Sequence, residues 1–241
     1  MKRFSVMMVG LMVGVGCASG PSMRVDENLL SGLPPGQMQG VINARAGRDA
    51  AVDAHTKAQQ DALGARSQLK VAKTELELAK SEVEHSMAKA EISKNGSEAD
   101  YQVAQDEVTL KEAIVTSKRH LVTLRGRQVE LVDAREALAE VKLELAEAEV
   151  EAAKARAVQG LDKAAVRDIS VSRFELQVSE YKSKVASAEQ NVASVGVEVE
   201  EALKAYETAN QRVEALRGTP APPPPMTPTP ATGAGMAPPG M

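Results

Sequence analysis

Aromatic residues are almost missing from this chain, with two Phe, three Tyr and no Trp among 241 residues. That scarcity argues against a large globular core or an aromatic cofactor cage. Cysteine occurs once, at Cys17, so no internal disulfide can form. The three histidines, His55, His85 and His120, have no second histidine four residues away and no cysteine to share a metal, which excludes the usual zinc spacings. A Gly-rich phosphate loop at a strand-to-helix turn and a nucleophile motif are lacking as well, so no catalytic, metal or cofactor-binding residues are expected. Positive charge is not in excess: 29 Lys and Arg stand against 33 Asp and Glu, a net charge of -4. Without a basic stripe interleaved with aromatics, nucleic acid is not an expected partner. Proline, finally, is absent from Gln37 to Thr219, and there every residue keeps its backbone donor and is free to sit in a helix.

What fills that proline-free region is Ala, Glu, Lys, Leu, Gln, Arg and Val, the composition of long helices. Near its end Val171, Val178, Val185, Val192, Val199, Tyr206 and Val213 recur every seven residues, and Phe174, Tyr181, Ala188, Val195, Ala202, Ala209 and Leu216 follow three later. The alternating 3,4 spacing is a coiled-coil seam, and a strand cannot reproduce it. An isolated amphipathic helix drifts by about 20° per heptad, so holding this register requires a partner helix. A quieter seam runs through Val41, Arg48, His55, Ala62, Leu69, Leu76, Val83 and Ala90, with small residues from Ala44 to Ser86 between them. Arg48 and His55 predict that its first turns fray or meet water. The middle stretch carries two apolar stripes, one through Leu110, Leu124, Leu131, Leu138 and Leu145, the other through Tyr101, Val108, Val115, Val122 and Val129. Two stripes predict two neighbours.

Two joints divide the region. Lys94-Asn95-Gly96-Ser97 offers a left-handed helix end at Asn95 or Gly96 and then Ser97 as an N-cap. Gly160 offers a second stop, with Asp162 as the next cap and Leu161 placed to staple onto Val166. The expectation is an all-α, long antiparallel three-helix coiled-coil bundle with helices at about 37–95, 97–159 and 162–217. Each arm would run roughly 85 Å at about 1.5 Å per residue. Folding at these joints places Gly64, Gly126 and Gly196 at almost one level, as a close backbone approach or a bend. Heptads specify that helices pair without saying from which chain, so a homo-oligomer remains open. Acidic clusters such as Glu144, Glu147, Glu149 and Glu151 read as solvated surface, and Asp53 with Lys57 and Glu107 with Lys111 have the favourable i,i+4 order.

The chain begins with Lys2 and Arg3, continues through an apolar stretch from Phe4 to Val15, and reaches small residues at Gly14, Gly16 and Cys17. That is the layout of a secretory signal, too short to span a bilayer, which takes about 20 helical residues. Val13-Gly14-Val15-Gly16-Cys17 resembles the lipobox of bacterial lipoproteins, with Val15 and Gly16 fitting the pattern and Gly14 standing where a larger aliphatic residue is usual. The resemblance covers residues 1–17. It implies removal of a signal peptide at 1–16, a lipid on Cys17 and attachment to a membrane. Ala18 in place of Asp implies the outer membrane, facing the periplasm.

The remaining organisation follows composition. Residues 17–36, rich in Ser, Gly and Pro, read as a lipidated flexible tether; 37–218 as the coiled-coil domain; and 219–241, with Pro220, Pro222 to Pro225 and four more prolines, as a disordered tail. The expected protein is a non-enzymatic, lipid-anchored cell-envelope spacer or docking rod. Its expected contacts are the membrane through Cys17 and a protein or the cell wall through a helical face or the Pro-rich tail. A second reading is a helical-hairpin subunit of an envelope export or efflux assembly, because long periplasmic hairpins resemble those of membrane-fusion adaptors. A third, a cell-wall hydrolase, finds no site.

Overall fold

The computed structural model describes residues 22–159, 161, 166 and 169–218. Three long helices account for most of them: α1 (Pro35–Ser93, 59 residues), α2 (Glu98–Val158, 61 residues) and α3 (Val171–Gly218, 48 residues), with one 3-10 turn at Glu27–Leu29 before them. No strand occurs among the described residues. The protein is all-α.

Local chemistry sets the ends. Pro35 opens α1, where a missing N–H removes a donor that has no helical partner anyway. Between α1 and α2, Ser97 caps the second helix: its Oγ accepts from the Asp100 N–H at 3.1 Å and donates to Asp100 Oδ2 at 2.6 Å. The left-handed stop expected at Asn95 or Gly96 does not form, since no described residue has a positive φ. The chain turns instead by tightening, with Asn95 N–H donating to Ile92 O and Gly96 N–H to Ser93 O, at 3.3 and 2.9 Å.

The connection after α2 differs from expectation. Gly160 and Asp162 lie outside the described residues, but α3 starts at Val171 and not near 162. Leu161, Val166, Ile169 and Val171 all pack on one core cluster. Helical spacing of about 100° per residue would splay these four around a cylinder, so their shared contact with one core does not fit a single continuous helix.

The helices divide into two compact units, one built from residues up to Gly64 with Glu130–Gly196, the other from Ala65–Val129 with Val197 onward. In the first unit Lys142 pairs with Glu189 and Arg156 with Glu175, each at 2.9 Å. Fourteen residues forward on α2 are matched by fourteen back on α3, which makes that pair antiparallel. Its core gathers Val25, Leu30, Val41, Ala152, Ala155, Val158, Val166 and Phe174. Val41 has no exposed surface, while Arg48 and His55, the seam positions expected to fray or meet water, are half-exposed. Burying side chains of this size contributes about 1.5–3 kcal/mol each for the larger ones.

In the second unit a ladder joins α1 and α2: Glu82 to Lys111 and Glu75 to Lys118, both 2.7 Å, so seven residues back on one helix match seven forward on the other. Arg127 reaches Glu198 on α3 at 2.8 Å. On α1 the buried positions are small, Ala72, Ala79, Ser86 and Ala90, whereas α2 buries Val108, Val115 and Leu124, and α3 buries Val213. Helix α2 therefore covers two stripes, as two neighbours demand. The favourable i,i+4 pairs expected at Asp53–Lys57 and Glu107–Lys111 are replaced: Lys57 bonds Asp61, Lys111 crosses to Glu82 and Glu107 meets Lys89. Lys57 thus keeps an i,i+4 partner on its own helix, whereas Lys111 and Glu107 take partners across the α1–α2 hairpin.

Gly64, Gly126 and Gly196 do not mark a close approach, since a methyl group built on any of them meets nothing within 4 Å. They do fall at or within three residues of the division between the units.

Candidate functional site

Burial along α3 follows the spacing of the seam. Phe174, Tyr181 and Val213 are buried, and Val171, Val178, Val185, Val192, Val195, Val199, Tyr206 and Leu216 are half-buried, while most positions between them are exposed. Burial pushes the Tyr181 hydroxyl above its ordinary value, helped by the nearby Glu144, Glu147 and Glu180 carboxylates; the Lys184 ammonium sits 4.4 Å from the centre of its ring. Asn95 and Gly96 form the α1–α2 turn and are exposed. Cys17 lies outside the described residues.

The feature that sequence reasoning missed is a strap. Residues 22–34, expected to belong to a flexible tether, are packed from Met23 onward. Val25 and Leu30 are buried, and Met23, Leu29 and Leu33 press on the same cluster as Val158 and Phe174. The Asp26 carboxylate caps the 3-10 turn by accepting from the Asn28 N–H at 2.9 Å. A polar network then ties the strap down. The Val25 N–H donates to Glu151 Oε2 at 2.7 Å, Lys154 bonds Glu151 Oε1 at 2.8 Å and Glu27 Oε1 at 2.5 Å, and Glu27 Oε2 takes Arg45 at 2.6 Å. The Glu151 and Lys154 side chains are only 10% and 8% exposed. Such a buried pair is tolerated because each charge has its hydrogen-bonding partners. The Lys154 hydrogen bond holds the Glu27 carboxyl below its ordinary 4.5, with partial burial opposing and Arg45 assisting.

The strap's first described residue is also anchored, since Gln177 Nε2 donates to Ser22 Oγ at 3.3 Å. The other end of that amide, Gln177 Oε1, is buried without a partner. Composition concealed all of this. The available signal was the set Val25, Leu29, Leu30 and Leu33, more apolar than a linker needs.

Among the described residues no group of three His, Cys, Asp or Glu side chains is placed to hold a metal ion. His55 lies 3.5 Å from Gln59 and is half-buried, His120 is half-buried and His85 exposed. Two grooves flank the strap unit, one of about 510 Å³ floored by Gly40, Ala44, Ala152, Ala153 and Ala157, the other of about 500 Å³ walled by Arg24, Arg45, Arg48, Glu147 and the strap network. In the second unit α1 presents an exposed apolar row, Val71, Leu78 and Ile92, at 55%, 63% and 75% exposure. The row lies about 100° or more around the helix from the buried Ala72, Ala79 and Ala90. No helix among the described residues is long and apolar enough to cross a membrane. Compared with known proteins, the chain matches no family model, no curated protein and no solved structure.

Proposed function

We propose that this chain is a lipid-anchored cell-envelope protein that works without catalysis, its helices serving as a spacer and as a docking surface for another protein. The basic, apolar and small-residue run ending at Cys17 supports export and acylation. The exposed row Val71, Leu78 and Ile92, interrupted at the intervening heptad position by the exposed His85, is the observation that carries the docking part, because apolar groups at heptad positions outside the intramolecular seam are what a further helix covers. The proposed location is the outer membrane, periplasmic side.

The α1–α2 hairpin, closed by a four-residue turn between Ser93 and Glu98, favours a second reading, a hairpin subunit of an export or efflux assembly. Against it, the adaptors it resembles carry β-rich flanking domains, and the described residues hold no strand. One experiment tests both. Photo-crosslinking residues placed at Val71, Leu78 and Ile92 in the intact cell envelope trap a protein partner under the docking reading, and a stoichiometric channel component under the second. Mass spectrometry of the mature amino terminus reads the lipid: acylated Cys17 is expected, and an unmodified thiol rejects the anchor.

A further inference from the structure

Resting on the proposed lipid at Cys17, we infer that the end of the first unit formed by the strap, the α2 C-terminus and the start of α3 is held against the phospholipid headgroups. The docking partner is the bilayer surface itself. The argument is one of chain length. Read as a tether, residues 17–36 would let the helices wander, but the strap removes most of that freedom: Ser22 is bonded to Gln177 on α3, Val25 and Leu30 are buried, and the Val25 amide is fixed on Glu151. Only four residues lie between Cys17 and Ser22, and the five steps of about 3.6 Å reach no more than about 18 Å. An acylated Cys17 lies at the membrane interface, so Ser22 stands within that reach of it, with Gln177 bonded to Ser22 and the Val158 end of α2 packed on the strap that follows.

The strap network sets the distance. Undocked, the chain from Cys17 to Pro35 runs 18 steps, and its root-mean-square span is about 23 Å against about 12 Å for five steps, on flexible-chain scaling. The strap thus converts a long leash into a short one, and the ion network of Glu27, Glu151 and Lys154 is the part that keeps it short.

The test uses the full-length acylated protein in vesicles of phosphatidylethanolamine and phosphatidylglycerol whose headgroups carry a quencher. A fluorophore is attached through Gln159→Cys, an exposed position at the end of α2. Strong quenching is expected, falling about twofold or more when Glu151→Ala with Val25→Asp releases the strap and doubles the leash. Circular dichroism checks that the released variant keeps its helices, and the milder Glu27→Gln, expected to lower quenching partway, serves if it does not. Weak quenching in the unaltered acylated protein overturns the inference, as does quenching that strap release leaves unchanged. A mass spectrum with unmodified Cys17 removes the lipid reading and this inference together, whereas acylation with weak quenching removes this inference alone.

Discussion

The Val25 amide donates to the Glu151 carboxylate at 2.7 Å across 126 residues of sequence, and the same carboxylate holds Lys154. Removing Glu151 strands one buried donor and leaves the buried Lys154 ammonium with only the more exposed Glu27 carboxylate. Glu151→Ala is expected to lower stability by about 3 kcal/mol, read as a shift of the urea midpoint, with new proteolytic cleavage between residues 23 and 34. Replacing both charges, Glu151→Leu with Lys154→Met, should recover much of the loss, because the stranded charge then no longer exists.

Acid should loosen the strap first. Glu27 has its folded pKa lowered below 4.5, chiefly by the Lys154 hydrogen bond. A carboxylate of this kind stabilises the fold above its unfolded value, and that contribution disappears as pH falls through the folded value. Protection factors at the Leu29 and Leu30 amides, corrected for the intrinsic pH dependence of exchange, should therefore fall as pH drops below 4.5, and Glu27→Gln should flatten that dependence. Exchange that is equally pH-dependent in the variant counts against this role.

Three mid-helix glycines are improvable. A methyl group at Gly64, Gly126 or Gly196 meets nothing within 4 Å, so each Gly→Ala change should raise stability by about 0.5–1 kcal/mol through helix propensity, visible as a higher melting temperature. Gly96→Ala should bring no such gain, since its methyl group would sit 3.2 Å from the Ser93 carbonyl oxygen.

One of the two α2 stripes offers a contrast within one row. Leu124 is 4% exposed, whereas Val103, three heptads earlier on the same stripe, is 58% exposed. Leu124→Ala is expected to cost about 2–4 kcal/mol and Val103→Ala less than about 0.5 kcal/mol in urea unfolding. Similar costs at both positions would show that Val103 is covered in solution.

Capping carries the last expectation. Ser97→Ala removes the hydroxyl that accepts from the Asp100 amide and donates to its carboxylate and should cost about 1 kcal/mol; Ser97→Thr, which keeps both bonds, should cost much less, which separates lost capping from general disruption in the same melting curves.

By itself the sequence determined that three helices form and which faces of them meet. Val171 to Leu216 keep their 3,4 spacing because side-chain direction in a helix is periodic, so a local pattern states which surface must be covered. The double stripe on α2 implied two neighbours for the same reason, and Ser97 stated its cap within four residues. Where a choice depended on residues far apart in the chain, the tertiary structure decided it. Leu161, Val166 and Ile169 were free to continue a helix until the core cluster drew all three inward and delayed α3 to Val171. Lys111 had Glu107 within one helical turn and pairs with Glu82 across the hairpin. Ser, Gly and Pro made residues 22–34 look like linker, yet a few apolar side chains sufficed to dock them once Glu151 and Lys154 supplied partners from the far side of the sequence. Helical periodicity acts over a few residues and leaves its mark in the sequence; burial and long-range ion pairing depend on which surfaces folding brings together, and no local pattern records that.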